Sequence, residues 1–218
     1  MEAFLLYFVL FFPSLSSGVD FSLPQAEVIP FSAIRELGRT LTYTIPSLAL
    51  LWYLISGRQG ISAFFSEKPK KQDFLPFIIG LPGLILISLG ISLLKSLFSK
   101  SLGLPLPPWV KAPVNMSGWI VMVFSCLATG YLEESYFRYY LLSKLENQVP
   151  WTALRIGFAA FLFAACHFYE GPMGILNAVS ASVLLSFLFI RYRSLHGIAW
   201  AHAAYNIFVY AMGIFVDK

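Results

Sequence analysis

Charged residues are scarce in this chain: Asp, Glu, Lys and Arg make up only 12% of the 218 residues, against 58% hydrophobic residues. A soluble globular domain usually carries about 25% charged residues, so this composition excludes that class. The mean hydropathy of +0.73 is typical of a protein that crosses a membrane several times. The formal charge of +4 is spread over short connectors and forms no long basic tract. It therefore indicates membrane topology signals, and no nucleic-acid partner is expected.

Cysteine and aspartate are also rare. The two cysteines, Cys126 and Cys166, lie in apolar helix-like stretches, so they are predicted to be buried free thiols and not part of a disulfide framework. The three aspartates, Asp20, Asp73 and Asp217, are not placed as a membrane-embedded catalytic pair. The sequence also contains no His-Glu-x-x-His zinc motif. These absences argue against a catalytic aspartate pair and against a zinc site of the His-Glu-x-x-His type.

Apolar runs separated by short polar connectors predict an all-α fold, a polytopic membrane bundle of about seven transmembrane helices. Because no repeat, low-complexity tract or soluble domain is recognisable, residues 1–218 are predicted to form a single integral membrane domain. The predicted helices are residues 1–18, 40–56, 74–94, 117–145, 152–168, 173–190 and 195–216.

Local residues refine this scheme. Residues 1–18 have the length of a signal peptide but no basic residue near the start, so a retained first helix is expected. Pro46 predicts a kink in the second helix. Lysine-rich residues 57–73 are the candidate cytoplasmic loop. Residues 74–94 contain glycines that favour close helix packing. Four prolines and a glycine in residues 96–113 predict that the third helix ends there, in a loop or re-entrant segment.

An acidic pair interrupts the helix of residues 117–145. A charged side chain near the middle of a bilayer costs roughly 2.5–3.5 kcal/mol, so such residues usually face a protein interior and carry function. Glu134 and Arg138 are four residues apart and can pair along one helix face, while Glu133 points about 100° away and stays available for chemistry. The alternative is that all three side chains form a structural ion-pair cluster.

Two further helices each contain a polar pair at helical spacing. Phe163 and His167 are four residues apart, and so are His202 and Asn206, so each pair lies on one helix face. A single intramembrane histidine is usually a hydrogen-bonded core residue. Taken together with the acidic pair, the two histidines indicate a site.

These three motifs resemble those of the CPBP family of intramembrane proteases, which includes the CAAX prenyl endopeptidases and the bacterial Abi proteins. The resemblance is carried by Glu133-Glu134-x-x-x-Arg138, Phe163-x-x-x-His167 and His202-x-x-x-Asn206, in this order over about residues 117–210. It implies an all-α bundle with a polar intramembrane cavity, in which water hydrolyses a peptide bond.

The resemblance also implies a role for each residue. Glu133 would be the general base, His167 would hold and polarise the water, and His202 and Asn206 would stabilise the oxyanion. No metal or other cofactor is implied. The supporting residues would be Glu134, Arg138 and Phe163. The physical requirements agree, since amide hydrolysis needs a base for water and donors aimed at the developing oxyanion.

The substrate implied is a peptide or protein, lipidated or unmodified. Membrane lipids are the other partner implied. The location implied is a multi-pass position in a bacterial inner (cell) membrane. Cys166 and His167 do not form a catalytic dyad, because adjacent helical residues point in different directions.

Three alternatives remain at this stage. Glu133, His167 and His202 could bind zinc with a water in the fourth position, as in metalloproteases. The chain could be a catalytically silent Abi-type scaffold or bacteriocin self-immunity protein. A transporter that uses the cavity as a proton relay is the third alternative.

Overall fold

The computed structural model describes residues 2–16, 28–57, 68–102 and 109–215. These residues form a helical bundle, which confirms the predicted all-α fold. The helices are α1 (Glu2–Ser16), α2 (Ala33–Arg39), α3 (Ile45–Ile55), α4 (Phe74–Leu102), α5 (Met116–Glu134), α6 (Ser143–Glu146), α7 (Thr152–Ala165), α8 (Gly171–Tyr192) and α9 (Leu195–Met212). A two-residue parallel strand pair joins β1 (Val28–Ile29) to β2 (Trp109–Val110).

A π-helical segment, Thr40–Thr44, joins α2 to α3 without a break. The Ser32 side chain caps the start of α2 by accepting a hydrogen bond from the Arg35 backbone N–H. Pro46 lies just after the π-helical segment and supplies no N–H to the helix. The kink expected at Pro46 stays a prediction, and the departure from α-helix that the structure shows is the wider turn just before it.

The helix α4 packs closely on its neighbours through two glycines, as predicted. A Cβ at Gly80 would lie 2.9 Å from Ala201 Cβ, and one at Gly83 would lie 2.7 Å from Leu184 Cδ2. The predicted end of this helix before Ser96 is wrong, because α4 continues to Leu102. Serine and lysine do not interrupt a helix, and the prolines begin only at Pro105.

The C-terminal helices agree with the sequence to within a few residues. The predicted helix of residues 117–145 is one continuous helical run, in which a second π-helical segment, Ser135–Leu142, separates α5 from α6. The helix α7 ends at Ala165, so His167 lies in the turn that follows it. A short 3₁₀ turn, Phe168–Glu170, then leads into α8.

An aromatic layer fills the core where α1, the second π-helical segment and α7 meet. Its buried rings are Tyr7, Phe11, Tyr136, Phe137 and Phe163. The Tyr7 hydroxyl donates to the carbonyl oxygen of Leu162 at 2.9 Å. Hydrogen bonds and ring contacts therefore hold α1 against the helices that carry the predicted site.

Three helical runs are long and apolar enough to cross a membrane: Lys71–Leu94, Met116–Glu146 and Phe168–Tyr192. Glu2–Phe12 and Thr152–Ala165 are shorter apolar helices. The count of about seven transmembrane helices stays a prediction. Most of the proposed cytoplasmic loop and of the connector after α1 lies outside the described residues, as do residues 103–108.

Candidate active site

The acidic pair lies at the end of α5, directly before the second π-helical segment. Glu133 is half-buried and Glu134 is completely buried. The change from α- to π-helix occurs at Ser135, and π-helical turns often mark functional sites in helices. The hydroxyl of Ser135 accepts a hydrogen bond from the indole N–H of Trp52 at 3.1 Å, which fixes α3 against this turn.

The predicted ion pair between Glu134 and Arg138 is present and completely buried. Arg138 Nη1 lies 2.9 Å from Glu134 Oε1. Arg138 Nη2 donates to the hydroxyl of Ser182 at 2.9 Å and to its carbonyl oxygen at 3.3 Å. Because both charges are removed from water, the pair needs these further hydrogen bonds to be tolerated. The pair therefore ties the acidic helix to α8.

His202 lies between the two glutamates. Its Nδ1 is 2.8 Å from Glu134 Oε1, a hydrogen bond in which the imidazole N–H donates to the carboxylate. Its Nε2 is 3.6 Å from Glu133 Oε2. Because the Nδ1 proton is committed to Glu134, the ring presents Nε2 to Glu133. The structure therefore brings together Glu133 and His202, which lie 69 positions apart in the chain.

The ring of Phe163 contacts both histidines and the buried arginine. The Phe163 ring centroid is 4.5 Å from that of His167, 6.0 Å from that of His202 and 4.7 Å from the Arg138 guanidinium carbon. An arginine over an aromatic face is an attractive cation–π contact. Phe163 therefore separates and positions three polar groups of the candidate site.

His167 is held by its own turn. Its Nδ1 is 2.8 Å from the carbonyl oxygen of Phe163, so Nδ1 donates and Nε2 is left as the acceptor. The His167 ring also stacks on Tyr169, with 6.3 Å between centroids and an angle of 22°. Within the described part of the chain, His167 makes no hydrogen bond to Glu133.

Asn206 lies one turn beyond His202 on α9 and is half-buried. Among the described residues it forms no hydrogen bond with Glu133 or with either histidine. Its amide is therefore not committed to another member of the site. The spacing that placed it on the same helix face as His202 agrees with the helical conformation of α9.

Two carboxylate oxygens of the site lack hydrogen-bond partners. Oε2 of Glu133 and Oε2 of Glu134 are buried and have no partner within the described ranges. The 3.6 Å separation of Glu133 Oε2 from His202 Nε2 exceeds a normal hydrogen bond. A buried, unsatisfied acceptor of this kind costs stability. An unsatisfied carboxylate oxygen is expected of a general base that binds a further hydrogen-bond donor, such as water.

A metal ion at this site would need a third protein ligand beside Glu133 and His202. Among residues 2–16, 28–57, 68–102 and 109–215, no three His, Cys, Asp or Glu side chains are arranged to hold a metal ion. Both ring nitrogens of His202 face carboxylates. Within the described residues the geometry therefore shows a pair formed by Glu133 and His202.

Both cysteines are buried free thiols, as predicted. The Cys166 thiol donates to the Tyr7 hydroxyl at 3.3 Å. Cys166 therefore contributes to the contact between α1 and α7.

Sequence reasoning missed Ser182, which binds Arg138, and Trp52, which binds the turn after the acidic pair. A serine inside an apolar helix is the one signal that could have indicated Ser182. Apolar helices contain many serines, however, so the signal does not select among them.

One comparison with known proteins gives a match. The family of type II CAAX prenyl endopeptidases, described as Rce1-like, matches residues 115–208. No curated protein and no solved structure gives a significant match. The matched region contains every residue of the candidate site from Glu133 to Asn206. The predicted family is therefore confirmed for this region, and the chain is an integral membrane protein.

Proposed function

Because residues 115–208 carry the pattern of the type II CAAX prenyl endopeptidases, we propose that this chain is an intramembrane endopeptidase in which Glu133 activates the hydrolytic water. The observation that carries the proposal is the position of Glu133 Oε2, which is buried, unsatisfied within the described residues and 3.6 Å from His202 Nε2. A water hydrogen-bonded to Glu133 would lie beside an imidazole.

The proposed reaction uses the protein's own side chains. Glu133 takes a proton from water while the water oxygen attacks the carbonyl carbon of the peptide bond. The tetrahedral intermediate then collapses as the carbon–nitrogen bond breaks, and Glu133 returns the proton to the leaving amine. One water is consumed for each bond cleaved, and no covalent enzyme intermediate forms. His167, through Nε2, would help to hold the water.

His202 and Asn206 would stabilise the oxyanion. With Nδ1 donating to Glu134, His202 donates from Nε2 only as an imidazolium. Its positive charge, together with that of Arg138, would balance the charges of Glu133 and Glu134. Asn206, one turn away, would supply a neutral N–H. Removing one oxyanion donor typically lowers kcat by about 10²–10³.

Glu134, Arg138 and Phe163 would act as positioning residues. Glu134 fixes the tautomer and the direction of the His202 ring, and Arg138 holds Glu134 in place. This division agrees with the geometry, because Glu134 has two close cationic or donor partners, whereas Glu133 has none within normal hydrogen-bond distance among the described residues.

The proposal includes partners and location. The substrate is a peptide or protein, lipidated or unmodified, that reaches the site from within a lipid bilayer, and no resident metal is needed. The chain would be a multi-pass protein of a bacterial cell membrane. The exposed apolar side chains of α4, such as Leu86, Leu93 and Leu97, suit a lipid environment.

The test is cleavage of a panel of prenylated and unprenylated peptides by the purified protein in liposomes. Mass spectrometry identifies the products, and reactions in H₂¹⁸O show whether the new carboxyl group contains solvent oxygen. We expect cleavage of at least one peptide with one ¹⁸O incorporated in a single turnover. If no peptide is cleaved by protein that is folded, the scaffold alternative replaces this proposal.

A further inference from the structure

Two threonine hydroxyls near the acidic pair are buried without a visible partner. Thr44 Oγ1 and Thr129 Oγ1 have no hydrogen-bond partner in the part of the chain that the structure describes, and neither does Glu133 Oε2. Thr44 is only 1% exposed. Buried polar atoms in folded proteins are nearly always bonded to protein or to ordered water. These three oxygens therefore point to water within the helix interface.

The oxygens lie on a line along α5. Ser125, Thr129 and Glu133 are spaced four residues apart, so they follow one face of the helix with a rise of about 6 Å per step. A gap of this length between two oxygens is bridged by one or two water molecules with normal hydrogen bonds. The line ends at the proposed base.

The facing helix contributes a matching pair of hydroxyls. Thr40 and Thr44 are four residues apart in the first π-helical segment, and both are buried where this segment packs against α5. The Thr40 hydroxyl donates to Ser125 Oγ at 3.0 Å. We call Thr40, Thr44, Ser125 and Thr129 the hydroxyl track.

The order of contacts places Thr44 beside Thr129. Thr40 meets Ser125, and Trp52 meets Ser135 further along both helices, so the two helices run in the same direction. Thr44 lies one turn after Thr40, and Thr129 lies one turn after Ser125. The two unsatisfied hydroxyls are therefore at the same level of the interface.

The other end of the track reaches charged residues. Arg39 Nη2 donates to Ser125 Oγ at 3.0 Å, and Ser125 Oγ donates to Glu36 Oε2 at 3.3 Å. The Arg39 side chain is 42% exposed, so a hydrogen bond links this end of the track to a residue at the surface. Charged side chains at the end of a membrane helix mark contact with water.

We propose that the hydroxyl track holds a file of water molecules that supplies Glu133 from the Glu36–Arg39 end. The inference rests on the proposed function, since hydrolysis consumes one water per bond. The proton that Glu133 takes from water goes to the leaving amine, so the track has to deliver only water and no proton has to leave through it.

Thiol accessibility tests the track without any catalytic activity. Thr44→Cys and Thr129→Cys are made in a chain with Cys126→Ala and Cys166→Ala, and each is treated with silver ion, a probe similar in size to water. Leu185→Cys, which replaces a buried apolar residue of α8, is the matched control. Because a thiolate forms readily only where water reaches it, both track cysteines should react at least about tenfold faster than the control. Equal rates would overturn the proposal.

Kinetics provide the second test. Thr129→Val removes the hydroxyl and keeps the shape, so kcat should fall about three- to tenfold, as expected for one lost hydrogen bond to water. Thr129→Ser should restore most of the rate. Thr42→Val, on the exposed side of the same π-helical segment as Thr44, should have the wild-type rate. If the wild type is active and Thr129→Val matches Thr42→Val, the track is not a water supply. If the wild type cleaves nothing, the proposed hydrolysis fails, and the silver experiment still decides whether the track is hydrated.

Discussion

Glu134 Oε1 accepts a hydrogen bond from His202 Nδ1 at 2.8 Å, across the interface between α5 and α9. This contact turns the other ring nitrogen of His202 towards Glu133. The two adjacent glutamates therefore have different positions relative to His202: Glu134 orients the imidazole, and Glu133 faces the ring nitrogen Nε2. The same division of roles is common in metal and catalytic sites, where a carboxylate fixes the tautomer of a functional histidine.

Arg138→Met should destabilise the protein strongly. It removes the guanidinium that pairs with completely buried Glu134, and breaking a buried pair by deleting one partner typically costs about 3–5 kcal/mol. Unfolding by denaturing detergent, followed by circular dichroism, measures the loss. The double variant Glu134→Gln/Arg138→Met should recover most of it, because no uncompensated charge then remains. A single variant as stable as the wild type would contradict a structural role for the pair.

Gly130→Ala should separate α5 from α9. A Cβ at this position would lie 3.0 Å from the Ala199 carbonyl oxygen and 3.3 Å from Ala203 Cβ. The carbonyl oxygen is a backbone atom and cannot move aside as a side chain can. The free energy of unfolding should therefore fall by about 1–3 kcal/mol. Since His202 lies on α9, we expect kcat to fall as well.

The control for that variant is Gly157→Ala on α7. An added Cβ there meets no atom within 4 Å among the described residues, so stability and kcat should stay at wild-type values or stability should rise slightly. Thermal unfolding and peptide cleavage measure both variants. The close packing of α5 on α9 would be irrelevant to the site if the two alanine variants behaved alike.

Phe163→Leu should lower activity more than stability. Leucine keeps the site apolar but removes the ring that contacts Arg138 and both histidines. The lost cation–π and aromatic contacts amount to about 1–2 kcal/mol of stability. Both histidines also lose the aromatic ring against which they pack. Phe161→Leu on the same helix, where the side chain is 67% exposed, should leave kcat unchanged. Equal kcat values for the two variants would show that the ring does not position the histidines.

Metal removal should leave cleavage unchanged. Treatment with a zinc chelator, followed by elemental analysis of the protein, gives a metal-free sample whose rate is compared with that of the untreated sample. We expect equal rates, because the proposed reaction uses Glu133 and the imidazoles alone. Loss of activity that added zinc restores would favour the metalloprotease alternative.

Local spacing was enough to predict the contacts made within a single helix. The four-residue spacing of Glu134 and Arg138 fixed their ion pair, because an α-helix places such side chains on one face. Small residues in an apolar run also predicted that α4 packs closely through Gly80 and Gly83, but not which helices they contact. The polar pairs in three apolar helices indicated that Glu133 and His202 belong to one site, and the resemblance to a known family assigned each of them a role.

Contacts between helices could not be read from the sequence. Which carboxylate meets which nitrogen of His202 depends on the rotation of α9 against α5, and no local pattern fixes that rotation. The predicted end of α4 lies too early in the chain. The serines and lysines after Leu94 permit a helix, and the prolines that prevent one come only later. Ser182, Thr44 and Thr129 look like ordinary small polar residues until the packing shows what they face.

The most direct test of the central claim is kcat for Glu133→Gln on a peptide that the wild type cleaves. The change keeps the size of the side chain and removes its ability to accept a proton, so kcat should fall by about 10²–10⁴ with unfolding unchanged. Glu2→Gln, at an exposed surface ion pair, is the control and should retain the wild-type rate. A Glu133→Gln protein that cleaves as fast as Glu2→Gln would contradict the assignment of Glu133 as the base.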